Sequence, residues 1–325
     1  LSRHAARAST LASASAYASG IGPLAAAGPR PALRDALVSA ASSPEAFLAS
    51  RRRYAASLAA SGVCGWVAGV GDRHPQNILV DLRDGSLVHI DFGYAFGTAV
   101  AALPIPELTP FRATEATLGP LAPGDARDAL AGDMRETMRA LREGSALLRG
   151  VMDVFLREPL DDWQREARQV RVKAGREVEA REENEGNHGS GSGSDSKTLG
   201  CADAPPSAMR AVEGASGLEG DEGKHVELKI AHAWAKLELG NPCHVAVAQC
   251  AAKHEGRAHW DGLRDAVLGR GGDAPGEANA LAGGRRTKAR LAAGETCASV
   301  EEQMACLLEL ATDPVVLATS WSGWR

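Results

Sequence analysis

The sequence predicts a mostly α-helical protein with one small β-hairpin. Three observations predict it. Aromatic residues are only 4% of the 325 residues while hydrophobic residues reach 44%, so the core is built from small aliphatic side chains, alanine prominent among them, and alanine is the best helix former. Apolar residues recur at helical spacing through most of the chain, as in Leu130, Met134, Met138 and Leu141. Asp84-Gly85 stands between two apolar, β-branched runs, which is the short-range signal of a hairpin.

Each element has its own justification. Residues 1–30 are rich in Ala, Ser and Gly with Pro23 and Pro29, and predict weak order. The start has neither Met nor an apolar leader and reads as the interior of a longer chain. Pro31 to Ala41 predicts a short helix. Ser43-Pro44-Glu45 is a helix start, with Ser as the cap, Pro in the first turn and an acid beside it; the helix it opens ends among the glycines at 65–71. Tyr54 to Gly71 carries no charge and has the length of a membrane span, but its serines and glycines, and its run into Asp72-Arg73-His74, make it a buried helix instead. No segment is read as spanning a membrane.

Asn77 to Leu82 and Leu87 to Ile90 are the two strands. With the turn centred on Asp84-Gly85, residue 78 falls opposite residue 91. Residues 92–115, with Pro104, Pro106 and Pro110, predict an irregular segment. Helices follow at 124–143 and 146–157, and a charged, exposed one from Asp161 to Glu183. Residues 184–223 turn Gly/Ser-rich and read as a linker. Helices resume at 224–239, stopped by Gly240-Asn241-Pro242, and continue at 243–255 and 258–268. A Gly-rich stretch covers 270–294, and a last helix spans Val300 to Ala311.

Charge bounds the function. Lys and Arg number 36 against 41 Asp and Glu, a net charge of −5, so no basic excess marks a dedicated nucleic-acid binder. The cysteines Cys64, Cys201, Cys243, Cys250, Cys297 and Cys306 form no C-x-x-C pair and read as reduced thiols. Cys243, Cys250 and His254 share a helix face with Val247, which makes them a core seam rather than a metal site; His225 and His232 are read the same way. Trp321 and Trp324 read as a packed tail, Asp81 and Asp84 as turn residues, and His89 as packing.

Chemistry concentrates in Gly69 to Gly97, GVGDRHPQNILVDLRDGSLVHIDFGYAFG. Asp72, His74 and Asn77 sit on a short loop, and the hairpin returns Asp91 beside them. Two carboxylates, a carboxamide and an imidazole at one end of a hairpin offer the hard oxygen ligands that suit Mg²⁺. Asp-x-x-x-x-Asn followed by a strand and Asp-Phe-Gly is the base-and-metal spacing of kinase phosphoryl transfer.

The order G-D-R-H-x-x-N, then H-I-D-F-G, resembles the phosphatidylinositol-3-kinase-related protein kinase family. Pro106-Glu-Leu-Thr-Pro-Phe-Arg112 is similar to the activation-segment end of its protein kinases rather than of the lipid kinases. Met152-Asp-Val-Phe-Leu-Arg-Glu-Pro159 with Asp162-Trp163, and Ser43-Pro-Glu-Ala-Phe-Leu-Ala49, resemble the DNA-dependent branch of that family. Cys306 to Leu317 and Gly323-Trp324 resemble its terminal FATC segment.

The resemblance implies a kinase C-lobe without its N-lobe over 31–183 and 224–269, and FATC helices over 295–325. It implies that Asp72 orients or deprotonates the substrate hydroxyl and that His74 stabilises the transferring phosphoryl group. Asn77 and Asp91 would bind Mg²⁺ and with it ATP. Residues 92–112 would be the activation segment, with Phe92, Gly93, Pro110, Phe111 and Arg112 as its landmarks. The implied substrates are protein Ser/Thr residues before Gln. The implied partners, reached through other parts of a longer protein, are DNA and a DNA-end-binding heterodimer, in double-strand-break repair by non-homologous end joining in the nucleus.

One feature of the residues departs from that pattern. The first lysine is Lys173, so no lysine or Gly-rich loop precedes Asp72 to hold the ATP phosphates, and the polypeptide by itself is expected to have little or no kinase activity. The alternative is a pseudokinase or interaction module that keeps the fold. A lipid kinase is a third possibility, weakened by Pro110-Phe111-Arg112.

Overall fold

The computed structural model describes residues 32–103, 107–124, 126–157, 221–254, 260–269, 294–313 and 316–317. The expectations for residues 1–30, the helix at 161–183, the linkers at 184–220 and 270–293, and Trp321 and Trp324 lie outside these residues.

Among the described residues the architecture is helical with one two-stranded antiparallel sheet. In chain order the elements are α1 (Ala32–Ala40), α2 (Pro44–Ala68), β1 (Ile78–Val80), β2 (Leu87–His89), α3 (Thr98–Ala102), α4 (Glu115–Leu118), α5 (Ala126–Glu143), α6 (Ser145–Arg157), α7 (Asp221–Leu237), α8 (Pro242–His254), α9 (Trp260–Val267) and α10 (Val300–Ala311).

The caps explain the boundaries of α2. Ser43 Oγ accepts the Ala46 N–H at 3.1 Å and Pro44 opens the first turn. Gly69 closes the helix in the left-handed region, φ 63°, where an L side chain is strained. The last helix is capped likewise: Ser299 Oγ accepts from Glu302 N at 3.2 Å while Glu302 reaches back to the Ala298 N–H.

The main core forms where α2, α5 and α10 meet. Tyr54, Leu58, Val63 and Trp66 of α2 pack on Leu130, Met134 and Met138 of α5 and on Met304 and Leu307 of α10. Each such buried side chain removes enough apolar surface to contribute roughly 1.5–3 kcal/mol. A second core joins Cys243, Val247 and Cys250 of α8 to Trp260, Leu263 and Val267 of α9 and to Leu310 of α10. The stripe Cys243, Val247, Cys250 is thus a core seam, and among the described residues no three His, Cys, Asp or Glu side chains converge to hold a metal. His254 is buried and stacks on Trp260 at 5.8 Å; the side chain of His225 is outside the described residues, and His232 is half-buried. Of the cysteines that the structure describes, Cys64 is exposed and Cys243, Cys250, Cys297 and Cys306 are buried.

Gln303 joins α10 to the rest. Fully buried, it donates from Nε2 to Lys236 O at 2.6 Å and Gly240 O at 3.0 Å, satisfying carbonyls at the end of α7. No helix among the described residues is long and apolar enough to cross a membrane, consistent with the expectation for Tyr54 to Gly71.

Three expectations need correction. The hairpin pairs Ile78 with His89, not with residue 91. The turn is wider than a two-residue Asp-Gly loop: Asp81 N–H bonds to Ser86 O at 2.9 Å, Gly85 N–H to Asp81 O at 2.7 Å, and Gly85 takes φ 85° at its end. The slip is of two residues, so every side chain keeps its predicted face. Secondly, residues 92–115 are not wholly irregular. Gly97 turns the chain at φ 74°, and the small residues after it wind into α3. Thirdly, α7 begins at Asp221, so 221–223 belong to a helix and not to the linker.

Candidate active site

Helix α2 delivers the chain to the site, and hydrogen bonds to the segment after the hairpin hold it there. Phe96 N–H donates to Ala68 O at 2.8 Å, Gly97 N–H to Gly69 O at 2.8 Å, and Gly71 N–H to Tyr94 O at 2.7 Å. The two backbones run so close that a Cβ on Gly69 would lie 2.6 Å from the Gly97 nitrogen. Glycine is required at 69 by contact as well as by φ.

The loop then makes a left-handed step at Asp72, φ 55°, and Asp91 makes another, φ 57°. Aspartate tolerates this region better than most residues, yet each such step costs on the order of 1–3 kcal/mol unless its surroundings hold it. Three side chains do so. Asn77 is buried, and its Nδ2 donates to Asp72 O at 3.1 Å. Arg73 is buried: Nε donates to Gly71 O at 2.8 Å, Nη1 to Ile90 O at 2.8 Å, and Nη2 to Asp91 O. Glu107 accepts the Asp72 N–H with both carboxylate oxygens at 3.1 Å.

The predicted residues fall into two groups. Asp72, His74, Asn77 and Asp91 gather at one end of the hairpin. His74 precedes the 3₁₀ turn Pro75–Asn77 with only its backbone O accepting, from Asn77 N at 3.0 Å, and Asn77 O accepts from Ile90 N at 3.1 Å, which sets Asp91 one residue beyond it. The Asp91 carboxylate is exposed and accepts from Gly93 N at 3.2 Å. With Nδ2 committed to Asp72 O, Asn77 presents its Oδ1 as a second hard oxygen. This donor set fits Mg²⁺, which takes one or two protein oxygens and completes its shell with phosphates and water.

The second group lines a cavity of about 870 Å³: Phe92, Gly93, Pro110 and Arg112 at its wall, with Phe111. Phe111 is buried in the main core, its ring 3.1 Å from where a Cβ on Gly62 would stand. Phe92 is 57% exposed, with the Arg73 guanidinium 5.5 Å from its ring centroid. His89 also faces this cavity; burial, and then the Arg73 charge, push its pKa down, so it behaves as a neutral wall residue.

Sequence reasoning misses three residues of this site. Arg73 does not stand in for a phosphate-binding lysine; its work is structural, joining loop to hairpin. Burial lowers its pKa, and the carboxylates of Asp72, Asp91 and Glu107 oppose that. Glu107 lies 35 residues from Asp72; its only sequence signal is its place in Pro106 to Arg112. Burial pushes its carboxyl up to about 7. Lys236 has no sequence signal. It is buried, donates to Trp66 O at 2.5 Å, and burial pulls it down to about 7.

Residues 24–165 match the model of the family Phosphatidylinositol 3- and 4-kinase. The chain is 33% identical over 298 residues to the DNA-dependent protein kinase catalytic subunit of Dictyostelium discoideum, covering 91% of this chain and 6% of that protein. It is 39% identical over 134 residues to the serine/threonine-protein kinase TEL1 of Cryptococcus neoformans var. neoformans serotype D, covering 41% of this chain and 4% of that protein. The solved FAT and kinase domain of CtTel1 aligns at a TM-score of 0.47 and 18% identity, covering 100% of this chain and 16% of that one. The chain spans about 6% of the length of the DNA-dependent kinase it matches.

Proposed function

We propose, for a chain whose residues 24–165 match the model of the phosphatidylinositol 3- and 4-kinase family, that it carries the phosphoryl-transfer centre of a serine/threonine protein kinase of the DNA-dependent type. The observation that carries this reading is the convergence of Asp72, Asn77 and Asp91 at one hairpin end, with Asn77 Nδ2 bound to Asp72 O and Arg73 bound to Asp91 O.

In this reading Asp72 orients the substrate hydroxyl and takes its proton as the bond to phosphorus forms. His74 stabilises the transferring phosphoryl group. Asn77 Oδ1 and the Asp91 carboxylate hold Mg²⁺, which when bound neutralises the charge on the ATP phosphate oxygens. Arg73 and Glu107 keep Asp72 and Asp91 in their left-handed turns. Residues 92–112 form the activation segment, and Pro110-Phe111-Arg112 seat it against the core. Residues 295–325 form a FATC segment that α10 anchors through Gln303.

Since no lysine precedes Lys173, the ATP-pairing lysine has no counterpart ahead of Asp72 in these residues, and the 325-residue polypeptide alone transfers phosphate poorly. The substrates are protein Ser/Thr residues before Gln. The setting is nuclear repair of DNA double-strand breaks by end joining, with DNA and a DNA-end-binding heterodimer as partners of the whole protein.

The test uses protein captured from its source cells with an antibody against 300–325. It is given Mg²⁺-ATP with a Ser-Gln peptide or with phosphoinositide vesicles. Peptide phosphorylation supports the proposal. Transfer to lipid alone establishes the lipid kinase instead. Transfer to neither, by a captured protein of 325 residues, establishes the interaction module.

A further inference from the structure

Beside the backbone bonds of Tyr94, Phe96 and Gly97, the activation segment reaches the catalytic loop through the side chain of Glu107. Leu108 is buried in the core of α8 and α9, and Phe111 in the core of α2 and α5. Glu107 is thus carried on a segment fixed to both cores. Its carboxylate accepts the Asp72 N–H with both oxygens, where Asp72 takes its left-handed step. The fit leaves no slack: a Cβ on Gly71 would lie 2.5 Å from the Glu107 carboxylate and 2.3 Å from Ala99 Cβ. Behind the carboxylate, Glu107 and Lys236 line a cavity of about 60 Å³, room for a few waters at most.

We propose that Glu107 is a positioning residue that couples the activation segment to the catalytic loop, by holding the Asp72 backbone so that the Asp72 carboxylate meets the substrate hydroxyl. The proposal deepens the kinase assignment and rests on it for the role of Asp72. Glu107 touches no reacting atom. It acts through the Asp72 peptide, and a shift of the activation segment is delivered to that peptide directly. Asp72 N–H to carboxylate is a charge-assisted bond when Glu107 is ionised, and it survives in weaker form when the acceptor is an amide. The conservative variant therefore separates the hydrogen bond from the charge.

The test is amide hydrogen exchange of the full chain, read at Asp72, for wild type, Glu107→Ala, Glu107→Asp and Glu107→Gln. Glu107→Ala should speed exchange at Asp72 about 10- to 100-fold, the loss of one hydrogen bond to a charged group, while α10 keeps its protection. Glu107→Gln should restore most of the protection. If the Ala variant does not fold, Glu107→Asp decides, since it keeps the charge and draws the oxygens back by one methylene. Unchanged exchange at Asp72 in a folded Ala or Asp variant overturns the proposal. In the cell-derived kinase, Glu107→Ala should lower kcat with the KM for ATP unchanged, and Glu107→Gln should recover it; a fall in neither overturns the positioning role. A wild-type protein that transfers no phosphate defeats the kinase assignment instead, and the exchange experiment still decides the hydrogen bond.

Discussion

Helix α2 and the loop it feeds are adjacent in sequence and held by opposite means. From Tyr54 to Val67 the helix is fixed by apolar contact with α5 and α10, and one of its few polar ties, Tyr54 Oη to Thr117 O at 2.6 Å, sits at the edge of that core. From Gly69 to Asn77 the chain has little apolar surface to bury. It is fixed by hydrogen bonds from Arg73, Asn77 and Glu107 to backbone atoms, in a path that includes a left-handed aspartate. Apolar packing supplies stability but tolerates small shifts in position. Charged hydrogen bonds to the backbone contribute about 1.5–3 kcal/mol each and, being directional, define where an atom lies. The proposed chemistry sits on the second kind of segment, immediately after the first.

That division is open to attack from either side. The largest effect should come from the exposed carboxylate that carries no packing. Asp91→Ala in the cell-derived protein should lower phosphotransfer by at least ~10³-fold, the scale of losing electrostatic and metal-binding stabilisation, while stability by calorimetry falls only by the ~1–2 kcal/mol that the φ of 57° imposes on alanine. In the helical core around α2 the pattern reverses, as α5 shows. Met134 is fully buried between α2 and α10, and Met134→Ala should cost about 2–5 kcal/mol in denaturant unfolding. Peptide phosphorylation below the new melting point should stay close to wild type.

Gly71→Ala sharpens the boundary between the two regions. Its Cβ would meet both Ala99 and Glu107, so about 1–3 kcal/mol of overpacking and a displaced loop should appear together, read as a lower melting temperature and faster exchange at Asp72.

The smallest effect is on pH dependence, and its sign follows from two buried groups. Burial raises the Glu107 carboxyl from 4.5 to about 7, so its contribution is fully present below 4.5 and is lost as pH rises through 7. Burial lowers Lys236 from 10.5 to about 7, so its contribution is present above 10.5 and is lost as pH falls through 7. Together they should carve a stability minimum near neutrality. Subtracting the melting curves of Glu107→Gln should remove the acid side of that minimum, and those of Lys236→Met the alkaline side. The Asp72 and Arg73 charges, which face Glu107, act on it in opposite directions, Asp72 raising and Arg73 lowering its pKa.

The same division explains what is legible in the sequence. Helix boundaries are, because caps are local: Ser43 and Gly69 around α2, and Ser299 before Val300–Ala311, act within a turn of their own position. The four residues Asp72, His74, Asn77 and Asp91 are legible because their spacing is itself the motif. The hairpin is recognisable but its register comes out two residues off, because Gly85 can end a four-residue turn as readily as it can form a two-residue one. Glu107, Arg73 and Lys236 are not legible as site residues. Their roles depend on backbone atoms as far as 170 positions away, as with Lys236 and Trp66, and no local pattern encodes such a contact. Gln303 escapes for the same reason: a buried carboxamide in an apolar helix is recognised only when the carbonyls it satisfies are seen.

The most direct test of the central claim is whether a divalent cation with ATP seeks the hairpin end. Mn²⁺ replaces Mg²⁺ and is paramagnetic, so it broadens nearby nuclear resonances even when bound weakly. In the full 325-residue chain with ATP, it should broaden the Asn77 side-chain amide and the Gly93 amide, and the effect should vanish in Asp91→Ala. Broadening at those resonances that persists in Asp91→Ala, or that appears only elsewhere, would contradict the assignment of Asn77 and Asp91 as the metal pair.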